Sequence, residues 1–397
     1  MIMLRPRTVG LAVVSVFAPA LHALGGEGPR DLADLLRPIV EARGVPGLAA
    51  AIVKDGEVVG LGAWGVRAAG SEEKVTTDDR WHLGSCTKSM TATMIGTLVE
   101  DGVMSWDMTV FGVFPELKDE ASTGWETVTL RHLLTNRGGV PGDVAPMLWR
   151  TLWKGEGTAT DQRMTLVKGM TKEKLKGTPG EGYIYSNAGF SIAGAMAERV
   201  TGKGYEALMH ERVFGPLGMT SAGFGPPGRG EAGVTQPRGH RAAPGGPVAV
   251  GPDETGSDNP DGISPASKAH ATMRDWASYA AWHAGAGKGK TGTGPTVSAG
   301  VAKAMHTPAE GPGQAYAMGW VVGSRPWAGG TVLMHTGSNS MWFAVCWVAP
   351  ERGVALVAAS NAGGPAGERA CDDACAAMLK AFLAPPEREK PAVADPG

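Results

Sequence analysis

Strand-forming sequence is confined to the two ends of this chain. The stretch "GLAAAIVKDGEVVGLGAWGV" (47–66) sets two apolar runs on either side of Asp55-Gly56, a two-residue hairpin signal. Comparable runs return only at "QAYAMGWVV" (314–322), "TVLMH" (331–335), "MWFAVCWVA" (341–349) and "VALVAAS" (354–360). Between them, about 85–300, the pattern is mostly helical. A chain of this kind must build one sheet from both termini and insert a helical region into it, with a cleft where the two meet. The expected fold is mixed α/β: an antiparallel sheet from about 45–66 and 314–360, flanked by helices at "DLADLLRPIVEARG" (31–44) and about 366–382.

The ends and one loop fall outside that frame. Arg5 and Arg7 precede an apolar run from Thr8 to Ala20 that ends in small residues, the layout of a secretory signal peptide cut after Ala20 or Ala23. The run is shorter than the ~20 apolar residues of a spanning helix, so no stable membrane anchor is expected after cleavage. Residues 24–383 then form one domain, exported to the periplasm or secreted, and 384–397 a loose tail. Residues 225–265 are rich in Gly, Pro and Asp and read as a long loop.

Charge narrows the partners. With 37 basic and 39 acidic residues, the chain offers no electrostatic footprint for nucleic acid. The expected partner is a small molecule or peptide. Four cysteines, at 86, 346, 371 and 375, allow three full pairings. One bridge from Cys346 to the C-terminal helix and buried free thiols both stay open. The spacing suggests no metal site, and no cofactor is expected.

Three short patterns carry chemistry. In "RWHLGSCTKSMTATMIGTLVEDG" (80–102), Gly84 precedes Ser85, and Lys88 falls one helical turn further on. Both side chains then share a face near a helix start, where a desolvated lysine can take a serine proton and the first-turn amides favour developing negative charge. In "GEGYIYSNAGF" (180–190), Tyr185 offers a phenol that can shuttle a proton, and Asn187 an amide that can orient a peptide-like substrate. At the end of a strand, His335-Thr336-Gly337 places a glycine where a substrate backbone can approach, and the amides after it can face an oxyanion.

Ser85-x-x-Lys88, Tyr185-x-Asn187 and His335-Thr336-Gly337, in this order, resemble the serine β-lactamase and D-Ala-D-Ala peptidase superfamily, most of all its class C-like branch. The segments "VTLRHLLTNRGGVP" (128–141) and "VFGPLGM" (213–219) are similar too, so the likeness runs over roughly 31–383. It implies that Ser85 is an acylated nucleophile, that Lys88 and Tyr185 activate it and pass protons, and that Asn187 holds the substrate amide. The amides of Ser85 and Ser338 would form the oxyanion hole, with His335 and Thr336 facing the substrate's tail, often a carboxylate. The activity it implies is a peptidase or amidase of D-Ala-D-Ala carboxypeptidase or D-aminopeptidase type, with peptidoglycan stem peptides among the substrates. An esterase, a weak class C-like β-lactamase and an inactive binding protein are the alternatives.

Look-alikes and departures temper the resemblance. "GKGKTGTG" (287–294) has neither the spacing of a phosphate loop nor a flanking strand to present Lys290-Thr291-Gly292 as a catalytic triad, so it is read as a loop. Ser71–Lys74 and Ser257-Asp258-Asn259 complete a class A-like set on paper; the first is read as a solvated loop. His335 stands where class C β-lactamases carry lysine. A free histidine, with pKa ~6.5, is mostly neutral at pH 7, which weakens attraction to a carboxylate. If His335 does bind one, affinity should improve as pH falls. Cys86, beside the nucleophile, is read as a small core residue.

Overall fold

The structure, a computed structural model, describes residues 28–285 and 294–383. The expected signal peptide, nearly all of the 287–294 loop and the 384–397 tail lie outside these residues.

The Asp55-Gly56 signal makes the turn it predicts. Both residues have positive φ, 52° and 90°, which matches the twist of the strands they join: β2 (Gly47–Lys54) and β3 (Glu57–Gly65). A two-residue strand, β1 (Arg30–Asp31), pairs with β3 in parallel. A small second sheet contains β4 (Arg80–His82), β5 (Gly223–Phe224) and β6 (Ala269–Thr272) in the order β4–β6–β5. Late in the chain come β7 (Val321–Arg325), β8 (Gly330–Gly337), β9 (Phe343–Ala349) and β10 (Val354–Ser360). The main sheet has the order β1–β3–β2–β10–β9–β8–β7, antiparallel apart from β1. The two ends of the chain meet where β10 pairs with β2, from Val354 opposite Lys54 to Ser360 opposite Leu48.

Side chains alternate between two cores, as the pleat requires. Ala49, Ala51, Val53, Cys346, Ala355 and Val357 face the large core shared with the helical region. Leu48, Ala50, Ile52, Val345, Leu356 and Ala358 face a second core under α1 (Ala33–Arg43) and the C-terminal helix (Gly364–Leu383). This alternation answers the cysteine question. Cys371 and Cys375 belong to the second core, whereas Cys346 points through the opposite face of the sheet. No bridge can join them, and all four cysteines are buried free thiols.

The helical region holds α2 (Thr87–Glu100), α3 (Ala159–Lys172), α4 (Asn187–Thr201) and α5 (Met273–Gly285), the last packed on the sheet. Arg163 on α3 locks it internally. Fully buried, it donates to both oxygens of Glu198 on α4 at 2.7 and 2.9 Å, and to Glu206 at 2.8 and 2.9 Å. Removing one partner of such a buried network costs ~3–5 kcal/mol, so the C-terminal end of α4 is held firmly against α3.

Two segments differ from the sequence reading. Residues 315–320 turn instead of extending: Ala317 N–H donates to Trp320 O at 2.8 Å, and only an isolated bridge links Tyr316 to Val321. Gly319 causes the bend. Its φ is +80°, and a Cβ there would lie 2.5 Å from the Ser89 backbone. The 225–265 segment is mostly loop, yet Ser257 and Asp258 are buried.

Candidate active site

The chain enters the site from β4. Leu83 N–H donates to Ala269 O at 2.8 Å, and a 3₁₀ turn, Gly84–Cys86, leads into α2. Gly84 has φ +50°, a left-handed conformation that favours glycine. Thr87 ties the turn down, donating to Gly84 O at 2.7 Å and accepting from Ala269 N–H at 3.0 Å. Ser85 is thereby left half-exposed at the top of a buried helix.

Lys88, one turn on, is completely buried. Its Nζ lies 3.0 Å from Ser85 Oγ, 2.6 Å from Asn187 Oδ1 and 2.9 Å from Ala266 O. Burial pushes its pKa well below the ordinary lysine value. A neutral amine has two N–H donors and one lone pair. Two of the three neighbours, Asn187 Oδ1 and Ala266 O, are pure acceptors, so in that form the lone pair is left for the Ser85 hydroxyl. The geometry thus sets up a base aimed at a nucleophile.

Tyr185 closes over the same point. The Lys88 nitrogen sits 4.7 Å from its ring centroid, and the phenol shares a hydrogen bond with Ser85. Burial raises its pKa above the ordinary tyrosine range, more than the Ser85 bond lowers it. The phenol therefore stays protonated, a donor and not a base. Asn187 begins α4, with Ser186 as N-cap accepting from Gly189 N–H at 3.1 Å.

The far wall is the end of β8. Gly84 and Gly337 touch back to back. A Cβ on Gly84 would lie 2.4 Å from Ser338 N, and one on Gly337 would lie 2.6 Å from Ser85 N. Only two glycines permit this approach, which brings the Ser85 and Ser338 amides together. Gly337→Ala is expected to lower kcat by ~10²–10³-fold with a small effect on KM, the signature of a spoiled oxyanion hole in steady-state kinetics.

His335 is where the reading of the sequence needs correction. The residue lines the cleft, but it is only 5 % exposed and its ring is fully engaged. Nδ1 donates to Thr336 O, and Nε2 accepts from the Tyr316 hydroxyl at 2.9 Å. Burial first, and the nearby Lys88 charge second, lower its pKa to about 3. The ring is neutral throughout the working range, so the expected pH-dependent grip on a carboxylate has no source. Thr336 is the exposed member of the triad. The cleft, about 250 Å³, is lined by Ser85, Tyr183, Tyr185, Tyr316, Val321, Met334, His335, Thr336, Gly337, Ser338 and Phe343. None of these is Lys, Arg, Asp or Glu.

All eight residues singled out from the sequence (Ser85, Lys88, Tyr185, Asn187, His335, Thr336, Gly337 and Ser338) surround this one cleft or its floor. Cys86 is buried in the core, its thiol directed to His335 O at 3.4 Å. Ser71 closes a turn, its N–H donating to Ala68 O at 3.1 Å, and Lys74 bridges to Val66, away from the cleft. Sequence reasoning missed Asn136. It takes φ +56°, accepts from Ser186 N–H through Oδ1 at 3.0 Å and from Ile184 N–H through its carbonyl at 2.8 Å, so it fixes the Tyr185 turn. Asn before Arg-Gly-Gly was the available signal. Asp258 was missed as well: burial raises its pKa, but the His82 ring, Lys268 and the Asn339 amide lower it more. Among the described residues, no group of three or more His, Cys, Asp or Glu side chains is placed to hold a metal.

The beta-lactamase family model matches residues 32–377. Penicillin-binding protein 4 of Amycolatopsis lactamdurans is 32% identical over 175 residues, 44% of each chain. Lovastatin esterase of Penicillium rubens is 30% identical over 174 residues, 40% of this chain and 43% of the esterase. The chain thus spans less than half the length of these curated relatives. The octameric penicillin-binding protein homologue of Pyrococcus abyssi superposes with a TM-score of 0.69 at 24% identity, over 88% of this chain and 76% of that one, a likeness of fold.

Proposed function

The chain belongs to the beta-lactamase family, and we propose that it is a serine hydrolase that cleaves esters or amides lacking a charged tail, through an acyl-enzyme on Ser85. The observation that carries the reading is the buried Lys88, held between two pure acceptors with its third valence on the Ser85 hydroxyl. In the reaction Lys88 takes the Ser85 proton as Oγ adds to the carbonyl carbon. The oxygen gains negative charge against the Ser85 and Ser338 amides. Collapse breaks the bond to the leaving group, which receives the Tyr185 proton, and Lys88 returns one to Tyr185. Water then adds to the acyl carbon by the same route in reverse and frees Ser85.

The uncharged substrate follows from the cleft. A carboxylate there would lose its hydration to a lining with no Lys or Arg and a neutral His335, with only neutral donors such as the Thr336 and Ser338 hydroxyls to offset the cost. This disfavours a D-Ala-D-Ala carboxypeptidase and a penicillinase, while neutral D-amides and esters remain in range. Matched substrates test it: an acyl-D-Ala-D-Ala peptide with a free carboxylate against its methyl ester. The neutral member should have at least ~10-fold higher kcat/KM, and KM for the acid should stay flat from pH 5 to 8. Faster turnover of the acid would overturn the choice of substrate. The basic-then-apolar leader supports export of the mature chain, which N-terminal sequencing of secreted material would check.

A further inference from the structure

Ser257-Asp258-Asn259 mimics a catalytic motif in sequence, but Asp258 lies behind the site and not in it. Its side chain is 1 % exposed. Oδ2 accepts from His82 Nε2 at 3.0 Å; Oδ1 accepts from Asn339 Nδ2 at 3.1 Å and from Asn259 N–H at 2.8 Å. Both partners pass the contact on. His82, fully buried, accepts the Gly84 N–H on Nδ1 at 3.2 Å. Asn339 accepts Met341 N–H at 3.2 Å, within a tight turn where Ser340 has φ +73° and donates its N–H to Ser338 Oγ at 2.9 Å. One carboxylate therefore ties residues 82–84 to residues 338–341. The first leads directly into the Ser85 amide, and the second begins with that of Ser338.

We propose that Asp258 is a positioning residue that sets the spacing and aim of the oxyanion-hole amides, acting through His82 on one side and Asn339 on the other. The proposal rests on the Ser85 acyl-enzyme reading. Its physical basis is the tautomer of His82. Nδ1 must carry a lone pair to accept the Gly84 N–H, so the ring proton must sit on Nε2, where Asp258 accepts it. Asparagine at 258 cannot do this while serving Asn339. With its oxygen toward Asn339 and the Asn259 amide, its NH₂ group meets Nε2, which must give up its proton. The proton moves to Nδ1 and points at the Gly84 N–H, donor against donor. A change of one atom at 258 thus disturbs the residue beside the nucleophile.

The test compares wild type, Asp258→Asn and Asn339→Ala on a neutral p-nitrophenyl ester. Each protein is also titrated with a boronic acid, whose tetrahedral adduct on Ser85 places an oxygen in the hole. Asp258→Asn should lower kcat by ~10²-fold with KM within ~3-fold, and weaken the boronate by a similar factor. A folded Asp258→Asn with kcat and boronate affinity within ~3-fold of wild type overturns the proposal, as does a rise in KM alone. If Asp258→Asn does not fold, Asn339→Ala decides: a ~10-fold loss of kcat at constant KM supports the proposal, and unchanged kcat overturns it. A fluorophosphonate label on wild-type Ser85 separates the two readings. Without it the acyl-enzyme reading has failed; with it and an unaffected Asp258→Asn, only the inference about Asp258 has.

Discussion

Lys88→Met is expected to lower kcat by ~10⁴-fold or more, because it removes the base that takes the Ser85 proton. The fold should survive. Lys88 is completely buried and its pKa lies well below 10.5. Between the folded pKa and 10.5 the unfolded chain binds a proton that folded Lys88 does not, so the group costs stability there, and the cost shrinks as pH rises toward 10.5. Methionine removes that cost, although Asn187 Oδ1 and Ala266 O lose a donor. The two changes oppose each other, and the melting temperature should stay within a few degrees of wild type. In wild type, kcat/KM should fall on the acid side as Lys88 becomes protonated, and the variant's residual rate should lack that limb. Residual activity within ~10-fold of wild type would show that another group deprotonates Ser85.

Tyr185→Phe should cost ~10²–10³-fold in kcat for an amide or alkyl ester, and much less for a p-nitrophenyl ester. The difference is the test. Burial keeps the phenol protonated, so its part is to donate to the departing atom. An amine or alkoxide cannot leave without that proton, whereas p-nitrophenolate can. An equal loss on both substrates would instead assign Tyr185 to the attack step, as a partner in activating Ser85.

The sheet was legible because its signals are local. Asp55-Gly56 between two apolar runs is a strong local hairpin signal, and the apolar runs at 331–335, 341–349 and 354–360 each became a strand. Where contacts decide, the sequence was silent. Residues 315–320 look extended, but Gly319 must bend to lie against Ser89. Which face of the sheet Cys346 takes depends on the register of β9 against β10, so a bridge to Cys371 or Cys375 could not be judged beforehand. In the site, the residues were readable from three patterns and their electrostatics were not. His335 looks like a carboxylate binder until burial is seen to lower its pKa to about 3 and Tyr316 to occupy its Nε2. Asp258 sits in a loop-like stretch 176 positions from its partner His82, a pairing that no spacing announces.

Covalent acylation of Ser85 underlies every step proposed for this chain. Intact mass after incubation with a fluorophosphonate probe, for wild type and for Ser85→Ala, tests it most directly. Wild type should carry a single adduct, mapped to the peptide containing Ser85, and the variant none. An adduct of equal extent on Ser85→Ala, or an unmodified wild type that still turns over ester, would contradict it.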